Sequence, residues 1–321
     1  MGKIDILDRR FFAGSDRFAE LINMEIYHGE KVLAPGKLEL LNRSYPSLMS
    51  ASGEKERDIL MYDFGQDICY GLEIETESDY SMPERIMVYD ASEYECQIRE
   101  IDREHRKSKA YESYREKKSR MKETDCLKPV ITMVLYVGEG RWRGRKRLGE
   151  LFRISQMAAC QSGALLNDYS FPLMEADYID AQNYHTDLRE FFQTMQCRGD
   201  KERLEELIRL ERFQKLSHET EVVISAHLNN QVLLRKVEEE GESMCKALDD
   251  WLKEEKRNGR KEGRREGRRE GRRVGRKEGK QEERIRILRS LLLEGLDEQT
   301  IMRVTGCSRK EYAAAGGRIN I

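Results

Sequence analysis

No run in this sequence approaches 18 apolar residues, so nothing in it reads as a membrane-crossing helix. The opening MGKIDILDRRFF has no apolar core of the kind a secretory leader carries, and a cytoplasmic protein with no membrane partner is expected. Seven cysteines are scattered without a CxxC pair, and the five histidines are dispersed, which excludes zinc-finger spacing. An odd, unpatterned set of cysteines fits free thiols in a reducing compartment. A second recombinase-like site is also missing. Apolar residues are scarce, at 38% with mean hydropathy −0.78, which is low for one compact body of 321 residues. One medium domain with an extended appendage is the expectation.

Charge is plentiful. Charged residues make up 37% of the chain, and the net charge of −2 hides an asymmetry. Residues 253–286 hold 16 basic and 8 acidic side chains, a local +8, which leaves the remainder near −10.

The most informative stretch is RDILMYDFGQDICYGLEIETES, residues 57–78. Residues 57–64 and 68–75 read as two strands around a turn at Gly65-Gln66-Asp67. With the turn centred near Gly65–Gln66, antiparallel pairing sets Asp58 across from about Glu73, with facing Cβ atoms roughly 5 Å apart. Glu73 and Glu75 are two residues apart and share a strand face. Three carboxylates on one patch repel unless a cation sits among them, and hard oxygen ligands suit Mg²⁺ or Mn²⁺. In so charged a chain, an exposed sheet face is the competing reading.

Residues 16–27 (DRFAELINMEIY) show helical spacing, with Ser15 or Asp16 as cap and Glu20 on the helix. Residues 36–42 lead into a loop, and 45–56 read as polar connection. Residues 82–118 read as a long helix with Pro83 in its first turn. Arg85 on it is a candidate for the site or a phosphate, with a surface role the simpler reading. The basic stretch 107–122 reads as a solvated helix face, with a nucleic-acid strip as the alternative. PVITMVLYV, residues 129–137, is a near-continuous apolar run suited to a buried central strand. The loop GEGRWRG follows, in which Trp142 either anchors the loop or stacks a base, with Arg143 beside it. Residues 148–157 read as a helix, 167–173 as an extended edge, 187–213 as two helices broken at Gly199-Asp200, and 217–251 as helical. A mixed sheet flanked by helices follows.

Several blocks, in order, carry a family likeness: FAELINMEIYHGEKVLAPGKLELLN, ERDIL, YGLEIETESDYSMPERIMVYDA and KPVITMVLYVGEGRWRG. Together they resemble the Rpn-type recombination-promoting nucleases and transposase-like proteins, a family of the PD-(D/E)XK nuclease superfamily. The resemblance covers roughly the first two-thirds of the chain. It implies an α/β fold with a restriction-endonuclease-like mixed central sheet flanked by helices, and a metal-dependent DNA endonuclease activity. Carried over by position, Asp58 matches the strand aspartate and Glu73 the acid of the E-x-(Q/K) motif. Glu20 matches a first-helix acid that joins the metal site, with an ordinary solvated glutamate as the alternative. Glu75 stands where the family has Gln or Lys. A lysine there would position or activate the attacking water, and a carboxylate cannot supply that charge. Glu75 is then a further ligand or general base, or this copy is weakened and serves as a DNA-binding or self-assembling module. An interaction protein unrelated to nucleic acid is a third reading, consistent with the acidic body and coil-like tail.

Beyond a nuclease-like domain over 1–215 and a helical connector over 216–252, residues 253–283 form a Gly/Arg/Glu-repeat segment. Its core is GRKEGRREGRREGRRVGRKEG, with glycine every fourth residue from Gly259 to Gly279. Each glycine costs a helix about 1 kcal/mol relative to alanine. A charged linker or marginal helix is one reading and a basic arm on DNA or RNA the other. Residues 284–321 read as a small helix-turn-helix-like tail. One helix ends at Glu294-Gly295, Asp297 caps a second that ends at Thr305-Gly306, and Ser308 caps a third. So small a tail buries little surface, which makes self-association through its helices a consistent expectation. Arg303, Arg309 and Lys310 on it are compatible with groove binding.

Overall fold

The computed structural model describes residues 2–42, 57–153, 166–228 and 230–316. They fall into two compact units, Met1–Asp250 and Trp251–Ile321. The expected connection over 45–56 and residues 154–157 of the expected helix over 148–157 lie outside the described residues.

The first unit opens on α1 (Lys3–Phe12), where the Asp5 carboxylate turns back to accept from the Gly2 N–H at 2.7 Å. Helix α2 (Ser15–Glu25) follows, burying Phe18, Leu21 and Ile22 at helical spacing. A 3₁₀ turn, Pro35–Lys37, leads into strand β1 (Leu38–Leu40), where a loop was expected. Next come β2 (Ile59–Asp63) and β3 (Ile68–Glu75). The turn between them closes with Asp67 at φ 58°. Helix α3 (Met82–Ser108) starts with proline in its first turn and ends at Lys109, which is left-handed at φ 55°. The expected single helix over 82–118 is therefore broken, and a short α4 (Tyr114–Ser119) resumes after a capping box at Ser113 and Glu116. Strand β4 (Val130–Tyr136) and edge strand β5 (Leu173–Glu175) complete the sheet. Between them the described part of 148–157 forms only a 3₁₀ turn, Leu148–Leu151.

The fold is α/β, with a mixed sheet in the order β1-β2-β3-β4-β5. The pairs β1/β2 and β2/β3 are antiparallel, and β3/β4 and β4/β5 are parallel. A parallel β3/β4 pair needs a crossover, and the chain between them contains α3. Five consecutive residues of β3, Cys69 to Glu73, are buried, as suits a central strand covered on both faces. Gly71 is required there: a Cβ would stand 2.5 Å from the Arg57 guanidinium and 2.7 Å from the Thr132 hydroxyl.

Helices α5 (Leu188–Met195) and α6 (Lys201–Leu207) flank the break expected at Gly199-Asp200, and Asp200 caps α6. The stretch expected to be helical over 217–251 holds α7 (His218–His227), α8 (Gln231–Glu238) and the start of α9 (Met244–Leu293). Phe11 and Phe12 of α1 meet Phe191 of α5 with ring centroids 5.6 and 5.3 Å apart. All three rings are fully buried, worth about 1.5–3 kcal/mol each. This packing fixes α1, and α1 is what brings acids to the sheet.

In the second unit, the repeat lies inside α9. Asp297 then accepts from the Thr300 N–H at 3.0 Å to cap α10 (Glu298–Thr305), which ends at Gly306 with φ 59°. Ser308 and Glu311 form a capping box on α11 (Arg309–Ala314). Leu288, Ile301, Cys307, Tyr312 and Ala315 form a small core. No helix among the described residues is long and apolar enough to cross a membrane.

Candidate active site

The β2/β3 register pairs Ile59 with Leu72, so one step further sets Asp58 opposite Glu73, as the turn position predicts. Hydrogen bonds lock the pair. The Ile74 N–H donates to Asp58 Oδ2 at 2.9 Å, and the Asp58 N–H donates to Glu73 Oε1 at 3.4 Å. Arg9, one turn from the end of α1, donates from Nε to Asp58 Oδ1 at 2.9 Å. Glu73 is 2% exposed. Burial pushes its carboxyl up to about 8, and the charge of Asp58 adds to the rise, while Arg85 and Arg57 oppose it. Tyr89 beside it is pushed up to about 12, first by burial and then by Glu73.

Glu73 and Glu75 share a face, and Arg85 joins them. Its Nη2 lies 3.5 Å from Glu73 Oε2 and bonds the Glu75 carboxylate, while Nη1 donates to Asp79 Oδ2 at 3.1 Å. Arg85 therefore faces the acids, which corrects the surface reading.

Asp58, Glu73, Glu75, Arg85 and Tyr89 line a cavity of about 190 Å³ together with Asp5 and Asp8 of α1. Asp8 is 2% exposed, and its Oδ1 lies 2.8 Å from His227 Nε2 of α7. Behind the site, Arg57 donates from Nη2 to Asp90 Oδ1 at 2.6 Å. Thr132 also donates to Asp90, at 2.5 Å, and Tyr169 donates to its other oxygen. Among the described residues, the remaining buried Arg57 nitrogens, Nε and Nη1, have no hydrogen-bond partner.

Glu20 does not join this group. Its carboxylate accepts from the His185 and Thr186 N–H groups at 2.5 and 3.0 Å, and it lines a separate cavity of about 980 Å³ beside α2. The acids that α1 contributes instead, Asp5 and Asp8, carried a legible signal: Ile4, Leu7 and Phe11 in IDILDRRFF are spaced for a helix. Trp142 is 7% exposed and packs edge-to-face on Tyr136, with ring centroids 5.4 Å apart. It anchors its loop, and the base-stacking alternative fails on burial. Arg143 is exposed, its N–H donating to Ser78 Oγ at 2.9 Å, and is not among the residues lining the acidic cavity.

Asp58 and Glu73 present facing carboxylates, and carboxylate oxygens are the donor type that hard divalent ions take. Among the described residues, no three His, Cys, Asp or Glu side chains stand in metal-holding geometry. The positive charge at Glu73 and Glu75 is supplied by Arg85. No family model, curated protein or solved structure matched the chain.

Proposed function

We propose that the first unit is a metal-dependent phosphodiesterase of the PD-(D/E)XK type that cuts DNA, with a recombination-promoting role. One observation carries this reading: Asp58 faces Glu73 across a strand pair, with Glu75 two residues on, along the wall of one small acidic cavity. Asp58 and Glu73 would hold Mg²⁺ or Mn²⁺. When bound, the ion would lower the pKa of a water and offset charge on the scissile phosphate.

The rest falls to the chain's own groups. Arg9 and the Ile74 N–H orient Asp58, each using one lone pair of a different oxygen and leaving others free. Asp5 and Asp8 extend the acidic wall. Glu75 cannot supply the positive charge of a lysine. Arg85, reaching it from α3, provides a cation at that place and can turn to a phosphate oxygen.

Incubating the purified chain with plasmid DNA and Mg²⁺ tests this. Cleavage that stops with EDTA and is lost in Asp58→Ala and Glu73→Ala is expected. Equal cutting by wild type and Asp58→Ala defeats the assignment.

A second reading rests on the same guanidinium. With Glu73 and Glu75 held by Arg85, the chain is a lapsed member retained as a DNA-binding or assembly module. It predicts no metal-dependent cleavage by wild type, and cleavage abolished by Glu73→Ala excludes it.

A further inference from the structure

The repeat over 259–279 has no part in the acidic cavity, and its geometry is set by its own period. In an α-helix with about 3.6 residues per turn and 1.5 Å rise, positions four apart recur every ~6 Å along the axis and turn by ~40°. Each tetrad reads glycine, basic, basic, then glutamate, with Val274 replacing one glutamate. The result is two adjacent basic columns winding along the helix. One runs through Arg260, Arg264, Arg268, Arg272 and Arg276, and the other through Lys261, Arg265, Arg269, Arg273 and Lys277.

Every residue from 256 to 284 is exposed. Over 259–279, ten basic side chains stand against four acidic ones, a net +6. Among the described residues, the ion pair within 259–279 joins Arg273 to Glu270 at 2.6 Å. Among the described residues, a Cβ added at any of the six glycines meets nothing within 4 Å, so that column is a bare strip of backbone.

The chemistry of this surface selects its partner. Val274 is the only apolar side chain among the 21 residues, so a protein or lipid partner has almost nothing to bury. A second copy would bring another +6 and repel. A polyanion with regularly spaced charge fits, and duplex DNA carries one negative charge per ~1.7 Å of axis. A helix about 10–12 Å across matches the ~12 Å major groove of B-form DNA, whereas the deep, narrow A-form groove of RNA excludes it. The missing side chains on the glycine column slim the helix further.

We infer that the helix over 259–279 is a DNA-binding surface that holds the duplex through its phosphates without reading base sequence. This is independent of whether the acidic cavity cuts DNA. Arginine columns contact phosphates, which fix position and affinity but carry no sequence information.

The test is fluorescence anisotropy of the full chain with a labelled random-sequence 30-base-pair duplex, in EDTA so that no cleavage intervenes. The NaCl concentration is varied from 50 to 200 mM. Six or more phosphate contacts predict a loss of about 10³-fold in affinity across that range. Changing all ten basic residues to glutamine, a comparable helix former, should abolish binding at 50 mM. A second variant, Arg260, Arg264, Arg268, Arg272 and Arg276→Gln, keeps five of the ten basic side chains and should lower the log–log salt slope by about 4.5. Circular dichroism of both variants checks that the helix persists. Equal binding by wild type and the five-residue variant overturns the inference, as does equal affinity for duplex RNA. It is also overturned if the ten-residue variant changes only the sedimentation behaviour of the protein and leaves DNA affinity intact.

Discussion

The acidic cavity and the basic helix are built from the same kinds of residue by opposite means. In the cavity, tertiary structure forces like charges together. Residues from α1, the β2/β3 pair and α3 meet, Glu73 is 2% exposed, and partners separated by tens of positions in sequence decide each group's behaviour. In the helix, a four-residue period arranges the charge, every residue from 256 to 284 is exposed, and each side chain answers mainly to its immediate neighbours. A carboxylate or guanidinium thus takes its chemistry from how much water remains around it. The cavity's mutations should be large and coupled, and the helix's small and additive.

The largest effect should come from the buried support behind the site. Asp90→Ala leaves Arg57 buried with its partner gone, and the loss should be about 3–5 kcal/mol by urea unfolding. A loss under about 1 kcal/mol would mean that Arg57 reaches water and that the cavity is not the low-dielectric region described.

Next, Asp58→Ala should lower Mg²⁺-dependent cleavage by more than the roughly 10–100-fold that outer metal partners are worth. DNA binding in EDTA should be unchanged, since that belongs to the helix. Loss of both together would break the separation drawn between the two regions.

The third effect depends on pH. Glu73 keeps its proton to about pH 8 in the fold, against an ordinary value of 4.5. A raised carboxyl contributes stability that is fully present below 4.5 and is lost as pH rises through 8. Glu73→Gln removes that loss. Relative to wild type, the metal-free variant should gain a few kcal/mol between about pH 4 and pH 9, since each pH unit separating the folded and unfolded values is worth ~1.4 kcal/mol. Parallel stability curves for the two proteins across that range would contradict the burial argument.

The smallest effect lies in the helix. Gly267→Ala and Gly271→Ala, each with nothing near the new methyl, should stabilise it by at most about 1 kcal/mol apiece and sum within a few tenths. A thermal melt of the double variant followed by circular dichroism reads this directly. Strong non-additivity would show that the glycine column is already packed against something.

What the sequence made legible follows the same division. Period and caps are local, so the strand pair, the Asp58–Glu73 register, β4, Asp297 and Ser308 as caps, and Gly306 as a helix end were all readable. What depends on distant packing was not. Glu20 sits on a helix of the expected kind, but α2 turns it to the backbone at His185 and Thr186. Asp8 enters the cavity because Phe11 and Phe12 dock α1 on α5, a contact with a residue some 180 positions away. Arg85 looked like one more surface arginine, and only the fold places two carboxylates from β3 within its reach. The break at Lys109 has no glycine to announce it, since a lysine takes the left-handed conformation there.

The proposed chemistry rests on Asp58 and Glu73 sharing one divalent ion. Anomalous diffraction from a crystal soaked in Mn²⁺ would locate that ion without reference to activity. A peak bonded to both carboxylates is expected, with the Arg85 guanidinium withdrawn from Glu73. A peak elsewhere, or none while Arg85 keeps its hold on Glu73 and Glu75, would contradict it.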